Sequence, residues 1–111
     1  MDVSFVEFEA FTKKVVQIAN DESLRDFQNE LSANPESGDL IPGSGGLRKA
    51  RFKLEGRGRS GGARVIYLWL PKALTIILFT LYTKAEQTDI SSALLKILRG
   101  AVKSIKKQYN Q

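Results

Sequence analysis

The sequence predicts an α+β domain in which a short strand and two helices precede a curled antiparallel sheet and a last helix. Apolar residues recur at helical spacing in residues 11–31 and 94–105, whereas residues 49–54 alternate with the two-residue period of a strand. Two nearly uncharged runs follow that alternation and have the composition of buried strands. The 111 residues are 42% apolar and 26% charged, so we expect one globular domain spanning residues 1–111.

The N-terminal segment predicts a strand followed by a helix. Residues 3–6 (VSFV) have the composition of a short strand. Phe11, Val15 and Ile18 then recur every three to four residues, as they would on the buried face of a helix. We expect this first helix to end at Asn20.

A second helix is predicted from Asp21, whose side chain can cap its first turn. Leu24, Phe27 and Leu31 form its apolar stripe. The helix should end before Pro35, because the residue that precedes a proline is sterically pushed out of the helical region.

Residues 36–46 (ESGDLIPGSGG) contain four glycines and a proline, and they predict a loop. The side chains that follow alternate between apolar and basic, so a strand here would bury one set and expose the other. The apolar set is Ala50, Phe52 and Leu54, and the basic set is Lys49, Arg51 and Lys53.

Two further strands complete the predicted sheet. Residues 56–62 (GRGRSGG) predict a hairpin turn, and residues 63–70 (ARVIYLWL) predict a strand that is apolar on both faces and therefore central. Pro71 and Lys72 turn the chain into the last strand, residues 74–82. They also interrupt the apolar run well short of the ~20 residues that a membrane helix needs, so no transmembrane segment is expected.

The last helix is expected to begin after a cap at Thr88 or Asp89. It has an apolar stripe and a basic side, and bases near the C-terminus of a helix suit its dipole. The stripe comprises Leu94, Leu98, Ala101, Val102 and Ile105, and the basic side comprises Lys96, Arg99, Lys103, Lys106 and Lys107.

The composition excludes several classes of functional site. The chain contains no histidine and no cysteine, which excludes Ser-His-Asp triads, Cys-His pairs, Cys/His zinc sites and disulfides. We expect no metal and no cofactor. Because no signal peptide is recognisable, we also expect a cytoplasmic location.

Charge is divided unevenly along the chain, whose net charge is +5. Residues 1–42 hold nine acidic and three basic side chains, whereas residues 43–111 hold fourteen basic and three acidic ones. A basic half that is also strand-forming and rich in glycine predicts a polyanionic partner, and nucleic acid in particular. The acidic N-terminal helices are expected to face away from that partner.

Three segments of the chain combine glycine and basic residues at a spacing found in a known protein family. Residues 38–51 read GDLIPGSGGLRKAR, residues 56–67 read GRGRSGGARVIY, and residues 82–90 read YTKAEQTDI. Together they resemble the G-D-x-I-x-G-[ST]-G-G-[LI]-R-K-x-R segment, the basic hairpin and the Y-x-K-x-E-x-x-D-L segment of HigB-like members of the RelE/ParE superfamily.

The resemblance implies the toxin of a type II toxin–antitoxin pair, a metal-independent endoribonuclease that cuts translated mRNA in the ribosomal A site through attack by the neighbouring 2′-hydroxyl. It implies three partners: mRNA, the ribosome, and an antitoxin that usually carries a helix-turn-helix DNA-binding domain. Some relatives inhibit DNA gyrase on the same fold, so gyrase inhibition is one alternative function. Non-catalytic binding to RNA or to the ribosome is the other.

The resemblance places the family's functional basic residues on Lys49, Arg51 and Arg64. Arg64 is expected to stabilise the reacting phosphate, because a guanidinium is planar, permanently charged and matched to phosphate oxygens. Lys49 and Arg51 are expected to position RNA or to exchange protons. Lys84, just past the last strand, is a candidate acid for the leaving oxygen.

Further residues are candidates for RNA contact or proton transfer. Tyr82 has the same side-chain parity as Lys84 and could stack on a base, although a tyrosine that ends an apolar strand also suits the core. Glu86 could act as a base or cap the last helix, and the backbone amides of residues 43–46 could cradle a phosphate. The best-known branch has a catalytic tyrosine where this chain has Ser91, and an arginine where it has Ala85. The remaining predicted RNA contacts are Arg48, Lys53, Arg57 and Arg59.

Overall fold

The computed structural model describes residues 2–54 and 62–111, and in these ranges it shows three helices and one five-stranded sheet. The elements are β1 (Ser4–Glu7), α1 (Glu9–Ile18), α2 (Asp21–Ala33), β2 (Asp39–Leu40), β3 (Arg48–Phe52), β4 (Ala63–Leu70), β5 (Thr75–Thr83) and α3 (Ser92–Gln108). The predicted α+β class is confirmed, with its N-terminal strand, paired helices and C-terminal helix. Residues 56–61 of the predicted hairpin turn lie outside the described residues.

The strand order is β1-β5-β4-β3-β2, so the doubly apolar strand β4 is central, as predicted. The sheet is mixed rather than wholly antiparallel, because β1 runs parallel to β5, with Ser4 opposite Thr75. A four-residue apolar segment carries no sign of the direction in which it will pair. The loop before β3 also contributes β2, which pairs antiparallel with the start of β3 and is too short to produce a sequence period.

Each face of the sheet carries its own apolar core. α1 and α2 cover one face, where the ring of Phe27 stacks on that of Phe52 with centroids 4.8 Å apart. α3 covers the opposite face, where Leu98 and Val102 pack with residues of β4 and β5 such as Leu68. We call these the α1/α2 face and the α3 face.

The first residue of α2 is Asp21, but its cap is Asn20, whose side-chain oxygen accepts a hydrogen bond of 2.8 Å from the backbone N–H of Ser23. The prediction of Asp21 as the cap was therefore wrong by one residue. Asn and Asp cap equally well, so a sequence with both in succession does not distinguish them. The helix ends at Ala33, with Asn34 as its C-cap, and so stops before Pro35 as predicted.

The cap of α3 is Ser91, whose Oγ accepts a hydrogen bond of 3.1 Å from the backbone N–H of Leu94. The helix thus begins later than a cap at Thr88 or Asp89 would allow, and both predictions were wrong. Asp89 is engaged elsewhere, in the candidate site. Within the described residues, no helix is both long enough and apolar enough to cross a membrane.

Candidate functional site

A row of polar side chains crosses three neighbouring strands on the α3 face. Arg51 on β3 lies opposite Arg64 on β4, and Arg64 lies opposite Tyr82 on β5. Tyr82 belongs to the core beneath α3, and side chains directly opposite each other share a face of the sheet, so all three lie on the α3 face. Lys49 is two residues before Arg51 on β3 and therefore shares that face.

The α3 helix leaves this end of its face open. Arg51 is exposed and Arg64 is partly exposed, whereas Ile66, two residues further along β4, is fully buried in the core beneath the helix. We call Lys49, Arg51, Arg64 and the Tyr82 hydroxyl the basic patch.

Two arginines that face each other across a strand pair create a strong positive potential. Cβ atoms in such pairs are about 5 Å apart, and like charges there repel. Within the described residues, Arg64 has no ion pair, and its hydrogen bond goes to the backbone oxygen of Ala63 at 3.2 Å. An anion bound between Arg51 and Arg64 would relieve this repulsion, so the arrangement is suited to a phosphate.

Asp89 is a carboxylate beside the basic patch, and the sequence had suggested it as a helix cap and as part of the YTKAEQTDI segment. Its Oδ1 accepts hydrogen bonds from the backbone N–H of Ile90 at 2.8 Å, from Lys49 Nζ at 3.2 Å and from the Tyr82 hydroxyl at 3.3 Å. The Ile90 N–H, supported by the Lys49 ammonium, holds the pKa of Asp89 below its usual value, so the group is ionised at neutral pH.

The sequence held one signal for this contact. Asp89 belongs to the YTKAEQTDI segment, and a tight turn after β5 brings it back beside Tyr82, seven residues earlier. Its ion pair with Lys49 spans forty residues, and no local pattern encodes such a separation.

The prediction that Tyr82 stacks on a base does not fit its placement. The side chain is 3% exposed and packs in the core beneath α3, which leaves its hydroxyl directed at Asp89. Burial, together with the charge and hydrogen bond of Asp89, raises the pKa of Tyr82 to about 12. At neutral pH the hydroxyl is protonated and donates a hydrogen bond, so it cannot act as a base.

Replacing Asp89 with asparagine should lower the pKa of Tyr82, because the negative charge that opposes its ionisation is removed while the burial remains. We expect a value below about 12 but above the ordinary 10.0. Ultraviolet titration of tyrosinate, with a Tyr82→Phe variant to assign the transition, measures it. Tyr67 provides the internal control, since its pKa is raised chiefly by burial at a site bounded by Gly38 and Arg48, and it should titrate unchanged.

The pH dependence of folding should show the same coupling. The pKa of Tyr82 is higher in the folded chain than in the unfolded chain, where it is about 10. Its contribution to the free energy of unfolding is therefore constant below pH 10 and is lost as the pH rises toward about 12. The free energy of unfolding should therefore fall less steeply across this interval in the Tyr82→Phe variant than in the parent chain. Equal slopes would contradict the assignment.

The turn after β5 separates two predicted proton-transfer residues. Lys84 is exposed in this turn and makes no hydrogen bond or ion pair with a described residue, so it is accessible to a ligand. Lys84 lies beyond the end of β5, so the alternation of strand side chains does not place it on the same face as Tyr82. Glu86 instead pairs with Lys14 of α1 at 2.9 Å and accepts a hydrogen bond from the Thr83 N–H at 3.1 Å.

These contacts favour neither of the roles suggested for Glu86, which were a base in the reaction and the cap of α3. The hydrogen bond from Lys14, with that from the Thr83 N–H, lowers the pKa of Glu86. The carboxylate is thus directed toward α1, away from the basic patch, and it closes the turn rather than capping α3. Ser91, where the resemblance aligns a tyrosine, caps α3, and Ala85 lies exposed in the turn.

The other predicted RNA contacts have different positions. Arg48 lies on the α1/α2 face and donates hydrogen bonds to the backbone oxygens of Glu36 at 2.9 Å and Gly38 at 2.8 Å, which favours a structural role. Lys53 is exposed just after β3. Arg57 and Arg59 lie outside the described residues.

The glycine loop at residues 43–46 is anchored to α3. Ser44 is buried, and its Oγ accepts a hydrogen bond from the Leu47 N–H at 3.0 Å. Lys106 Nζ donates to the Gly45 oxygen at 2.6 Å, and an Arg99 nitrogen lies 3.4 Å from the Gly43 oxygen. The loop therefore offers its carbonyl oxygens to cations of α3, and these contacts favour a structural role over the suggested phosphate cradle.

The described residues contain no group of three or more Asp, Glu, His or Cys side chains that could hold a metal ion. The side chains of the basic patch and its surroundings supply cations, one carboxylate and one protonated phenol. This set can bind a phosphodiester, stabilise charge on its oxygens and exchange protons.

Comparison with known proteins identifies the fold. No protein-family model matches the chain. Among solved structures, the isolated E. coli RelE toxin aligns with a TM-score of 0.56 at 18% identity, covering 94% of this chain and 99% of that one. The intact E. coli RelBE toxin–antitoxin complex aligns with a TM-score of 0.57 at 15% identity, covering 74% and 96%.

An archaeal relative gives the same result. The RelE–RelB complex from Pyrococcus horikoshii aligns with a TM-score of 0.51 at 22% identity, covering 76% of this chain and 97% of that chain. The chain therefore has the fold of the RelE toxins, as the resemblance in its sequence predicted. The HigB-like assignment stays a prediction.

Proposed function

We propose that this protein is the toxin of a type II toxin–antitoxin pair and that it cleaves translated mRNA on the ribosome. The observation that carries the proposal is the row of Arg51, Arg64 and Tyr82 across the open end of the α3 face, with Lys49 and Asp89 beside it. The solved toxins and toxin–antitoxin complexes of the same fold support it. We further propose the cytoplasm as its location and an antitoxin with a helix-turn-helix domain as its partner.

The proposed reaction is transesterification within the RNA strand. The 2′-oxygen attacks the adjacent phosphorus as it loses its proton, the bond from phosphorus to the 5′-oxygen breaks, and the leaving 5′-oxygen gains a proton. The products are a 2′,3′-cyclic phosphate and a 5′-hydroxyl, with no net consumption of water or of a metal ion.

The cations of the basic patch share this work with Asp89 and Lys84. Arg64, with Arg51 opposite it, binds the phosphate oxygens and stabilises the negative charge that grows on them. Lys49 orients the same phosphate. The second carboxylate oxygen of Asp89, which makes no hydrogen bond to a described residue, accepts the proton of the 2′-hydroxyl, and Lys84 supplies a proton to the leaving oxygen.

An ionised carboxylate of lowered pKa is a weak base, so much of the acceleration must come from positioning. The ribosome supplies it by holding the mRNA with the 2′-oxygen in line with the bond that breaks. Cleavage should therefore require ribosomes.

A reconstituted translation reaction tests the proposal. Purified protein is added, and mRNA ends are mapped by primer extension, with ribosome-free RNA in parallel. We expect new ends within codons in the presence of ribosomes and intact RNA in their absence. Intact mRNA with normal translation would overturn the proposal; a supercoiling assay would then test gyrase inhibition, and ribosome binding without cuts would indicate a non-catalytic binding protein.

A further inference from the structure

We propose that three exposed lysines of α3, Lys96, Lys103 and Lys107, form a second RNA-binding surface that contacts the phosphate backbone of ribosomal RNA. We call them the α3 stripe. The inference rests on the proposed function, in that the basic patch takes the mRNA while the α3 stripe holds the ribosome on which the mRNA lies.

The α3 stripe is a single line of charge along the helix. At 100° per residue, the three lysines lie within an arc of about 40°, and at 1.5 Å per residue the line is about 16 Å long. All three side chains are exposed, and none makes a hydrogen bond or an ion pair with a described residue. The remaining cations of the helix, Arg99 and Lys106, reach toward the loop at residues 43–46 instead.

An ordinary solvated helix surface does not account for the α3 stripe. On α1, Lys13 pairs with Glu9 one turn away at 2.9 Å, which is the usual way in which surface lysines are balanced. The seventeen residues of α3 contain no acidic side chain, so Lys103 and Lys107 repel each other across one turn. The helix dipole favours Lys107 in the last turn, but Lys96 and Lys103 lie outside both end turns and gain nothing from it.

The surroundings of the α3 stripe favour a nucleic acid over a lipid surface or a protein interface. The apolar side of α3 is buried against the sheet through Leu98 and Val102, so the helix has no apolar face to insert into a lipid surface. Protein interfaces are depleted in lysine at their centres and enriched in aromatic residues. The exposed apolar residue of the helix, Ile97, lies about 100° around the axis from Lys96 and thus off the stripe.

The position of α3 relative to the basic patch also favours RNA as the partner. α3 packs on the sheet face that carries Lys49, Arg51 and Arg64, while α1 and the acidic helix α2 cover the opposite face. A large RNA body approaching the α3 face would meet both cationic surfaces at once. The predicted orientation of the acidic helices, away from RNA, is part of this arrangement.

The test measures binding of the full chain to purified 70S ribosomes by sedimentation over a series of salt concentrations. A variant with Lys96→Gln, Lys103→Gln and Lys107→Gln removes the charges of the α3 stripe. Glutamine forms helices well, so α3 should be preserved. Its matched control, with Lys13→Gln, Arg25→Gln and Lys72→Gln, removes three exposed cations elsewhere. A third variant restores charge with arginine at the three α3 positions.

We expect the α3 variant to bind at least tenfold more weakly and to lower the slope of log K against log salt by about two, since each phosphate contact contributes roughly 0.7 to 0.9. The control and the arginine variant should keep the parent slope. In the cleavage assay the α3 variant should raise KM and leave kcat unchanged, because the reacting groups are untouched.

Unchanged ribosome affinity and slope in the α3 variant would overturn the inference. So would a loss confined to vesicles of anionic phospholipid, which would assign the α3 stripe to a lipid surface. Failure of the proposed function gives a different result, because ribosome binding is measured without cleavage. A chain that binds ribosomes through the α3 stripe but cuts no mRNA would retain the inference about α3 and contradict the proposed cleavage. A parent chain that does not bind ribosomes would overturn both.

Discussion

Cleavage of mRNA in translating ribosomes should fall by at least about 100-fold when Arg64 is replaced with alanine, the usual cost of removing one preorganised donor to a developing oxyanion. Arg64 is central in the row between Arg51 and Tyr82, and among described residues no acid neutralises it. The measurement is the single-turnover rate at saturating ribosomes, alongside growth arrest on expression. Saturation separates a loss of chemistry from a loss of binding.

The control for this prediction is Arg25→Ala, which removes an exposed arginine from α2, on the opposite side of the sheet. It should cleave at the parent rate. Arg64→Lys should recover part of the activity, because a lysine keeps the charge but lacks the planar fork that binds two phosphate oxygens. A folded, soluble Arg64→Ala protein that cuts mRNA as fast as the parent would remove Arg64 from the site.

Replacing Gly38 with alanine should destabilise the fold by about 3 kcal/mol, the upper end of the cost of overpacking a core. A Cβ at this position would lie 2.7 Å from Cε1 and 2.8 Å from the hydroxyl of Tyr67, and 3.0 Å from the backbone oxygen of Lys49. Tyr67 cannot move aside cheaply. It is fully buried, and its hydroxyl donates to the Pro35 oxygen at 2.7 Å and accepts from the Gly38 N–H at 3.0 Å.

Thermal and denaturant unfolding measure this change, with Gly100→Ala as the matched control. Gly100 lies within α3, and a Cβ at this position would have nothing within 4 Å, so alanine there should stabilise the helix by up to about 1 kcal/mol. Opposite shifts in the two variants are expected. An unchanged unfolding midpoint in Gly38→Ala would contradict the prediction, because it would show that Tyr67 moves aside at little cost in free energy.

Periodic features of the chain were predictable from sequence, and contacts between distant segments were not. The bounds of β4 were predicted in full because residues 63–70 are apolar on both faces, which is the pattern of a central strand. The alternation around Ala50 and Phe52 likewise predicted which side of β3 is buried. β2 was missed because two residues are too few to show a period.

The site was predictable only in part for the same reason. Lys49, Arg51 and Arg64 were identified by resemblance, and the register of β3 and β4 brings Arg51 and Arg64 together. Asp89 was missed because its partners, Lys49 and Tyr82, reach it through a turn and across the sheet. Arg48 is next to Lys49 in sequence but points to the other face, since neighbouring strand residues alternate.

The parallel pairing of β1 with β5 has a consequence for how the chain acquires activity during synthesis. The first strand cannot pair until the last strand has emerged, so the contacts between β1 and β5 are among the most distant in sequence and the slowest to form. The basic patch is distributed over β3, β4, β5 and the turn that carries Asp89. On the proposed function, a nascent chain therefore cannot assemble the site until β3, β4, β5 and the turn that carries Asp89 have all left the exit tunnel.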